Sequence, residues 1–218
     1  MIIHEWSNMS ISEHDVNSLE WWDNYFTHHW EENLGCQQTA FFMSELIRAI
    51  PSREREWIRE HPKTLVDWGC ALGDGLPLLA QAFMPQRLVG IDFSPISLSK
   101  ARTRYPEYFF YESWEQFRLH YSQAQVVFNS NCLEHFAEPL VILQEGLRNT
   151  EYLYFILVPY REQEPLCASH CQIFDKNHFP LVIDDFTLIH QHVIKTDPTY
   201  WDGEQLLVVY ASKKYLLK

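Results

Sequence analysis

The sequence predicts an α/β fold: a doubly wound sheet of seven strands, mostly parallel, with an antiparallel C-terminal hairpin and an N-terminal helical cap. Three observations predict it. Strand-like and helix-like runs alternate strictly from residue 64 to residue 159, which is the pattern of a parallel sheet. The first strand empties into closely spaced small residues, Gly69, Ala71, Gly73 and Gly75, which let a turn bring its backbone against a ligand. The second strand ends in a carboxylate, Asp92, about 20 residues beyond Gly69, the spacing at which a ribose hydroxyl is held.

The preface, residues 1–62, is rich in aromatics. Trp22, Tyr25, Phe26, His29 and Trp30 recur at helical spacing, and Phe42, Leu46, Ile47 and Ile50 do so again, so two amphipathic helices are expected. Between them Gly35 is a candidate C-cap and Thr39 a candidate N-cap. The aromatic stripe reads either as plain core packing or as a cap over a ligand edge, in which case Gln38 and Tyr25 are the residues to reach the ligand. Arg53, Arg55 and Arg59 interleave with Glu54, Glu56 and Glu60, as on a solvated helix face. The core, residues 63–218, then reads as strand 64–68, helix 75–84, strand 87–92, helix 95–104, strand 108–111, helix 113–121, strand 125–130, helix 137–148 and strand 152–159. Ser94 followed by Pro95 supplies an N-cap and a proline at the first helical position. Residues 160–184, with two prolines and two histidines, are too irregular for a strand pair and read as a substrate-binding insertion. Asp185 to Lys195 and Glu204 to Lys213 read as two final strands around a turn from Pro198 to Gly203.

At 218 residues the chain suits one compact domain. A formal net charge of −12 opposes an extended contact with nucleic acid, which needs clustered Lys and Arg. Met1 to Glu5 has neither a basic stretch nor a long apolar core, and the longest apolar strand is far too short to cross a bilayer, so no membrane partner and a cytoplasmic location are expected. Five cysteines without a C-x-x-C spacing suggest neither a disulfide framework nor a zinc ribbon; Cys167 and Cys171, which flank His170, read as ordinary thiols.

The run Asp67-Trp68-Gly69-Cys70-Ala71-Leu72-Gly73 does not follow the dinucleotide register G-x-G-x-x-G. It resembles the first motif of the class I S-adenosylmethionine-dependent methyltransferases, acid-x-Gly-x-Gly-x-Gly, with Ala71 in place of one glycine. Gln125 to Phe136, with its Leu133-Glu134-His135 segment, resembles the family's fourth strand and the turn after it, and the likeness covers about residues 64–160. The resemblance implies a Rossmann-like fold and S-adenosyl-L-methionine as cofactor, with S-adenosyl-L-homocysteine as product. It also implies roles. Asp67, Gly69, Ala71 and Gly73 would lie along the methionine and ribose, Asp92 would hold the ribose hydroxyls, and Phe93 would sit beside the adenine. Glu112 and Ser113 would meet the adenine edge, and Asn129 and Asn131 the methionine ammonium.

Methyl transfer is an in-line displacement in which the protein supplies alignment, exclusion of water and, for an alcohol acceptor, a base. A histidine near neutral pKa suits that task. His170, in the insertion, is the preferred candidate and His135, after the fourth strand, the second. His178 also lies in the insertion, whereas His190 and His192 alternate on a late strand as sheet-surface residues would. Ubiquinone-pathway O-methyltransferases resemble this segment but carry Glu-x-x-Glu-His as metal ligands; here the first position is Asn131, which weakens a hard-oxygen site for Mg2+ or Ca2+, and no metal is expected. The expected activity is methyl transfer to a small metabolite, O-methylation preferred, with a sugar or glycan hydroxyl as one acceptor class. The competing class is a cofactor-binding regulatory or partner protein of the same fold without turnover, and a nucleotide-dependent oxidoreductase comes third. The oligomeric state is not legible.

Overall fold

A computed structural model of the chain describes residues 16–61 and 63–218. Met1 to Glu5, read above for a leader, lies outside the described residues. Helices α1 (Leu19–His28), α2 (Gly35–Ala49) and α3 (Ser52–Glu60) precede the first strand. The sheet has strands β1 (Thr64–Trp68), β2 (Arg87–Ile91), β3 (Phe109–Tyr111), β4 (Ala124–Ser130), β5 (Thr150–Tyr160), β6 (Val182–Ile183), β7 (Phe186–Lys195) and β8 (Glu204–Ser212). Between them run α4 (Leu76–Phe83), α5 (Pro95–Arg104), α6 (Trp114–Arg118) and α7 (Pro139–Arg148), and α8 (Lys213–Leu216) closes the chain. No described helix is long and apolar enough to cross a membrane.

The sheet order is β3-β2-β1-β4-β5-β8-β7-β6, with β1 to β5 parallel and β8, β7 and β6 antiparallel to their neighbours. Eight strands replace the expected seven. Val182–Ile183 pairs with Phe186 and Thr187 across a two-residue turn at Asp184 and Asp185, and Asp184 takes the left-handed conformation (φ 50°) that Asp tolerates. The insertion therefore contains the edge strand that its irregular composition hid.

Alternate residues of the central strands enter opposite apolar layers, so both faces are covered, as a parallel sheet requires. Leu153, Phe155 and Leu157 of β5 pack on one face with Leu46 of α2, Ile50 just beyond it and Ile58 of α3; Tyr154, Ile156 and Val158 pack on the other with Leu143 and Leu147 from α7. Helices α2 and α3 thus share the sheet's own core, while α1 joins a smaller cluster with Ala71 and Leu72 of the first loop.

A helix boundary and a burial state differ from the sequence reading. Gly35 opens α2 rather than ending α1, a Cβ there would lie 2.4 Å from the Trp30 ring, and Thr39 falls inside α2 rather than capping it. Glu54 is not solvated: it is buried and accepts a 2.9 Å hydrogen bond from the Tyr215 hydroxyl, tying α3 to α8.

Candidate active site

Doubly wound sheets bind ligands outside the carboxyl ends of their strands, where the strand order reverses. Here that point lies between β1 and β4. A cavity of about 380 Å³ opens there, and a smaller chamber of about 110 Å³ adjoins it, the two sharing Trp22, Trp30, Gly69, Ala71, Asn131 and His135 as walls.

The first loop lines the cavity with Gly69 and Ala71, both left-handed at φ 81° and 47°. Gly69 answers to a protein neighbour, because a Cβ would come within 2.6 Å of Cys132 Sγ. The Ala71 amide donates to Asp92 Oδ2 at 2.9 Å. Asp92 Oδ1 accepts from the Ser94 amide at 3.0 Å and the Ser97 hydroxyl at 3.1 Å, so the carboxylate is clamped against the loop while lining the cavity. Burial raises its pKa, and these hydrogen bonds oppose the rise. Phe93 stands beside it with 45% of its surface exposed, an apolar face at the cavity wall. Glu112 and Ser113 complete that side, Ser113 also capping α6 by accepting from the Gln116 amide.

Three expected cofactor contacts do not reach the cavity. Gly73 packs against Phe110, Tyr105 and Leu76. Asn129 is buried and donates to the Trp68 carbonyl at 2.8 Å, joining the ends of β4 and β1. Asp67 lies behind the loop, where a Cβ on Gly75 would meet its Oδ2 at 3.0 Å, and that oxygen has no hydrogen-bond partner among the described residues. Burial, with the Asp92 charge, pushes Asp67 up to about 7. The native state thus keeps a proton that the unfolded chain releases near pH 4, so stability falls as pH rises from about 4 to about 7. Asp67→Asn should remove this fall and raise stability at pH 8 by an amount on the order of 4 kcal/mol, with little gain at pH 4. Melting curves of both proteins across that range test it; parallel pH profiles would refute it.

Helix α1 forms the roof. Asp23 accepts from the Ser94 hydroxyl at 2.5 Å, and Lys100 Nζ donates to the Phe26 carbonyl at 2.8 Å, so α5 pins α1 over the loop. Trp22, Phe26 and Trp30 therefore pack as a cluster and also wall the cavity. Tyr25 and Gln38 line the smaller chamber, Gln38 donating to the Tyr200 carbonyl at 2.9 Å.

Asn131, Glu134, His135 and His170 also line that chamber. Glu134 is 1% exposed, and neither of its carboxylate oxygens has a hydrogen-bond partner among the described residues. Burial pushes it up to about 7 despite the opposing charge of His170. His135 Nδ1 lies 3.0 Å from the Ser169 carbonyl, and burial with the neighbouring His170 holds its pKa down at about 3. His170 Nδ1 lies 2.5 Å from Glu162 Oε2; burial alone would lower its pKa, but this bond and the charges of Glu134 and Glu162 outweigh burial and raise it. The insertion is fastened here by backbone, with the Cys171 amide donating to the Glu134 carbonyl at 2.7 Å. His178 instead caps a short turn with Asp175, and His190 and His192 lie on β7, away from the chamber. Glu162 escaped the sequence reading, since its separation from His170 follows no recognised pattern.

Residues 65–150 match the family model described as a methyltransferase domain. No curated protein sequence matches the chain. Among solved structures, an S-adenosylmethionine-dependent methyltransferase from Anabaena variabilis is similar with TM-score 0.61 at 16% identity, over 93% of this chain and 96% of that one. The plantazolicin methyltransferase BamL, bound to a triazolic desmethylPZN analog and SAH, is similar with TM-score 0.61 at 13% identity, over 92% and 96%. The magnesium protoporphyrin IX methyltransferase from Synechocystis, with bound SAH, is similar with TM-score 0.59 at 10% identity, over 92% and 98%. At these identities the likeness is one of fold.

Proposed function

We propose that this chain, which carries a methyltransferase domain on a class I methyltransferase fold, uses S-adenosyl-L-methionine to methylate a hydroxyl of a small metabolite, a sugar or glycan hydroxyl being one such acceptor. The observation that carries the reading is Asp92, clamped by three donors at the end of β2 and facing a cavity beside the exposed ring of Phe93. A carboxylate held there accepts from two ribose hydroxyls while Phe93 offers its face to a purine. The bound cofactor supplies an electrophilic methyl carbon. Asn131, shared by cavity and chamber, lies on the path from cofactor to acceptor. In the chamber His170 takes the acceptor's proton at Nε2, with Glu162 fixing the ring through Nδ1, and His135 forms the opposite wall. The apolar roof of α1 excludes water.

Isothermal titration with S-adenosyl-L-homocysteine tests the assignment. Asp92→Ala should weaken binding by about 1.5–3 kcal/mol, roughly 10- to 150-fold, as expected for lost hydrogen bonds to a charged group. Asp92→Asn keeps the shape and one acceptor, and should fall between the two. Unchanged affinity in both variants would remove the ribose assignment. Cofactor binding without turnover on any hydroxylated acceptor would favour a regulatory protein of the same fold.

A further inference from the structure

We propose that Glu134, His135 and His170 form a binding site for one divalent transition-metal ion of the zinc or manganese class, placed where the acceptor hydroxyl would lie. The side chains offer a carboxylate oxygen and two imidazole nitrogens, all within 4.8 Å of one another. Among the described residues they are the group of three His, Cys, Asp or Glu side chains that close together in this way. Small rotamer shifts bring such atoms to about 2.0–2.2 Å from a common centre.

Two independent features point the same way. Glu134 is buried with both oxygens unpartnered, a costly arrangement unless a cation completes it. The outer nitrogens of both histidines are already engaged. A carbonyl can only accept, so His135 Nδ1 carries the proton it shares with Ser169, which leaves the Nε2 lone pair free to coordinate. His170 Nδ1 faces the Glu162 carboxylate in the same manner, and Glu162 is itself held by the Cys167 amide at 2.9 Å. Neither Nε2 has a hydrogen-bond partner among the described residues. A carbonyl on one ligand histidine and a carboxylate on the other are the outer contacts that orient metal-binding imidazoles.

The ligand set also explains why adjacent sequence argued against a metal. Asn131 removes a carboxylate and with it a hard-oxygen site, but the insertion delivers a second imidazole from 35 residues downstream. Two nitrogens and one oxygen, with further positions open to the chamber, suit Zn2+, Mn2+ or Co2+ better than Mg2+ or Ca2+. This inference deepens the O-methylation reading and rests on it for the role of the ion. A hydroxyl bound there loses its proton to solvent as it enters the site; in the water-excluded chamber the oxygen's electron pair then forms the bond to the methyl carbon, and the carbon–sulfur bond breaks with its pair left on sulfur. His170 would then hold the ion instead of taking the proton itself.

The test is direct metal binding by the full chain after chelator treatment, using Zn2+, Mn2+, Co2+ and Mg2+ salts, with titration calorimetry and the visible spectrum of the Co2+ form. The expected result is one Zn2+ or Co2+ per chain and much weaker Mg2+ binding. Glu134→Gln and His170→Ala should each abolish the Co2+ spectrum, Glu162→Gln should weaken the metal 10- to 100-fold, and His178→Ala should change nothing. S-adenosyl-L-homocysteine affinity, unchanged in all four variants, confirms that they fold. Failure of the wild-type chain to bind, or binding that survives Glu134→Gln and His170→Ala, overturns the site. Metal binding without methylation of any hydroxyl would leave the site standing and remove the O-methylation reading. Absence of metal with turnover still lost in His170→Ala would do the reverse.

Discussion

Replacing His170 with Ala should lower turnover on a hydroxylated acceptor by about 10²- to 10⁴-fold, the range expected when a positioned proton acceptor is lost. Cofactor affinity should stay within twofold, because His170 lines the smaller chamber and none of the contacts that clamp Asp92 involves it. Both kcat and kcat/KM should fall together, as for an interaction made in the transition state and not in binding. Glu162→Gln should cause a smaller loss, since it keeps the contact to Nδ1 but removes the charge behind it. Steady-state kinetics with S-adenosyl-L-homocysteine titration as control decides the matter. Full activity in His170→Ala would take the catalytic role away from the insertion.

The second large effect is expected at Gly69. A methyl group there would lie 2.6 Å from Cys132 Sγ and 2.9 Å from Cys132 Cβ, and the backbone sits at φ 81°. Overpacking costs about 1–3 kcal/mol and the left-handed conformation about 1–2 kcal/mol more, so Gly69→Ala should destabilise the fold by about 2–5 kcal/mol. It should also displace the Asn131–Cys132 turn and weaken the cofactor product. Denaturant unfolding and calorimetry measure the two losses. Gly73→Ala, whose Cβ would meet flexible ring and Leu edges at 3.2 and 3.3 Å, shares the backbone cost but should leave binding less affected. A Gly69→Ala protein as stable as wild type would show that the turn can retreat from Cys132.

The order of elements and the cavity edge were legible because their causes are local. A period-2 apolar run, a glycine turn and an acid at a strand end are written within a few residues of one another, and Asp92, Phe93, Gly69 and Ala71 do converge on the cavity. The local signals also misled where a tertiary neighbour decided. Gly35 has the composition of a cap, yet a Cβ there would strike the Trp30 ring, and a Cβ on Gly73 would meet Phe110 and Tyr105. Asp67 and Asn129 stand at strand ends like ligand contacts but turn into the protein, one behind the loop and the other onto the Trp68 carbonyl.

By itself the sequence determined that the chain is an acidic α/β protein with a glycine-bearing loop after its first strand and a carboxylate at the end of its second, because those properties follow from composition and short spacing. Only the tertiary structure decided what stands opposite that cavity edge. Glu134, His135, Glu162 and His170 come together because the insertion folds back and is fastened by the Cys171 amide to the Glu134 carbonyl. The bonds that hold this return join residues far apart in sequence, the Cys171 amide to the Glu134 carbonyl and the His135 ring to the Ser169 carbonyl, and no short spacing encodes them. The His135 ring held by the Ser169 carbonyl, the His170 ring held by Glu162 and the unpartnered Glu134 carboxylate beside them are properties of the packed chain and not of any stretch of it.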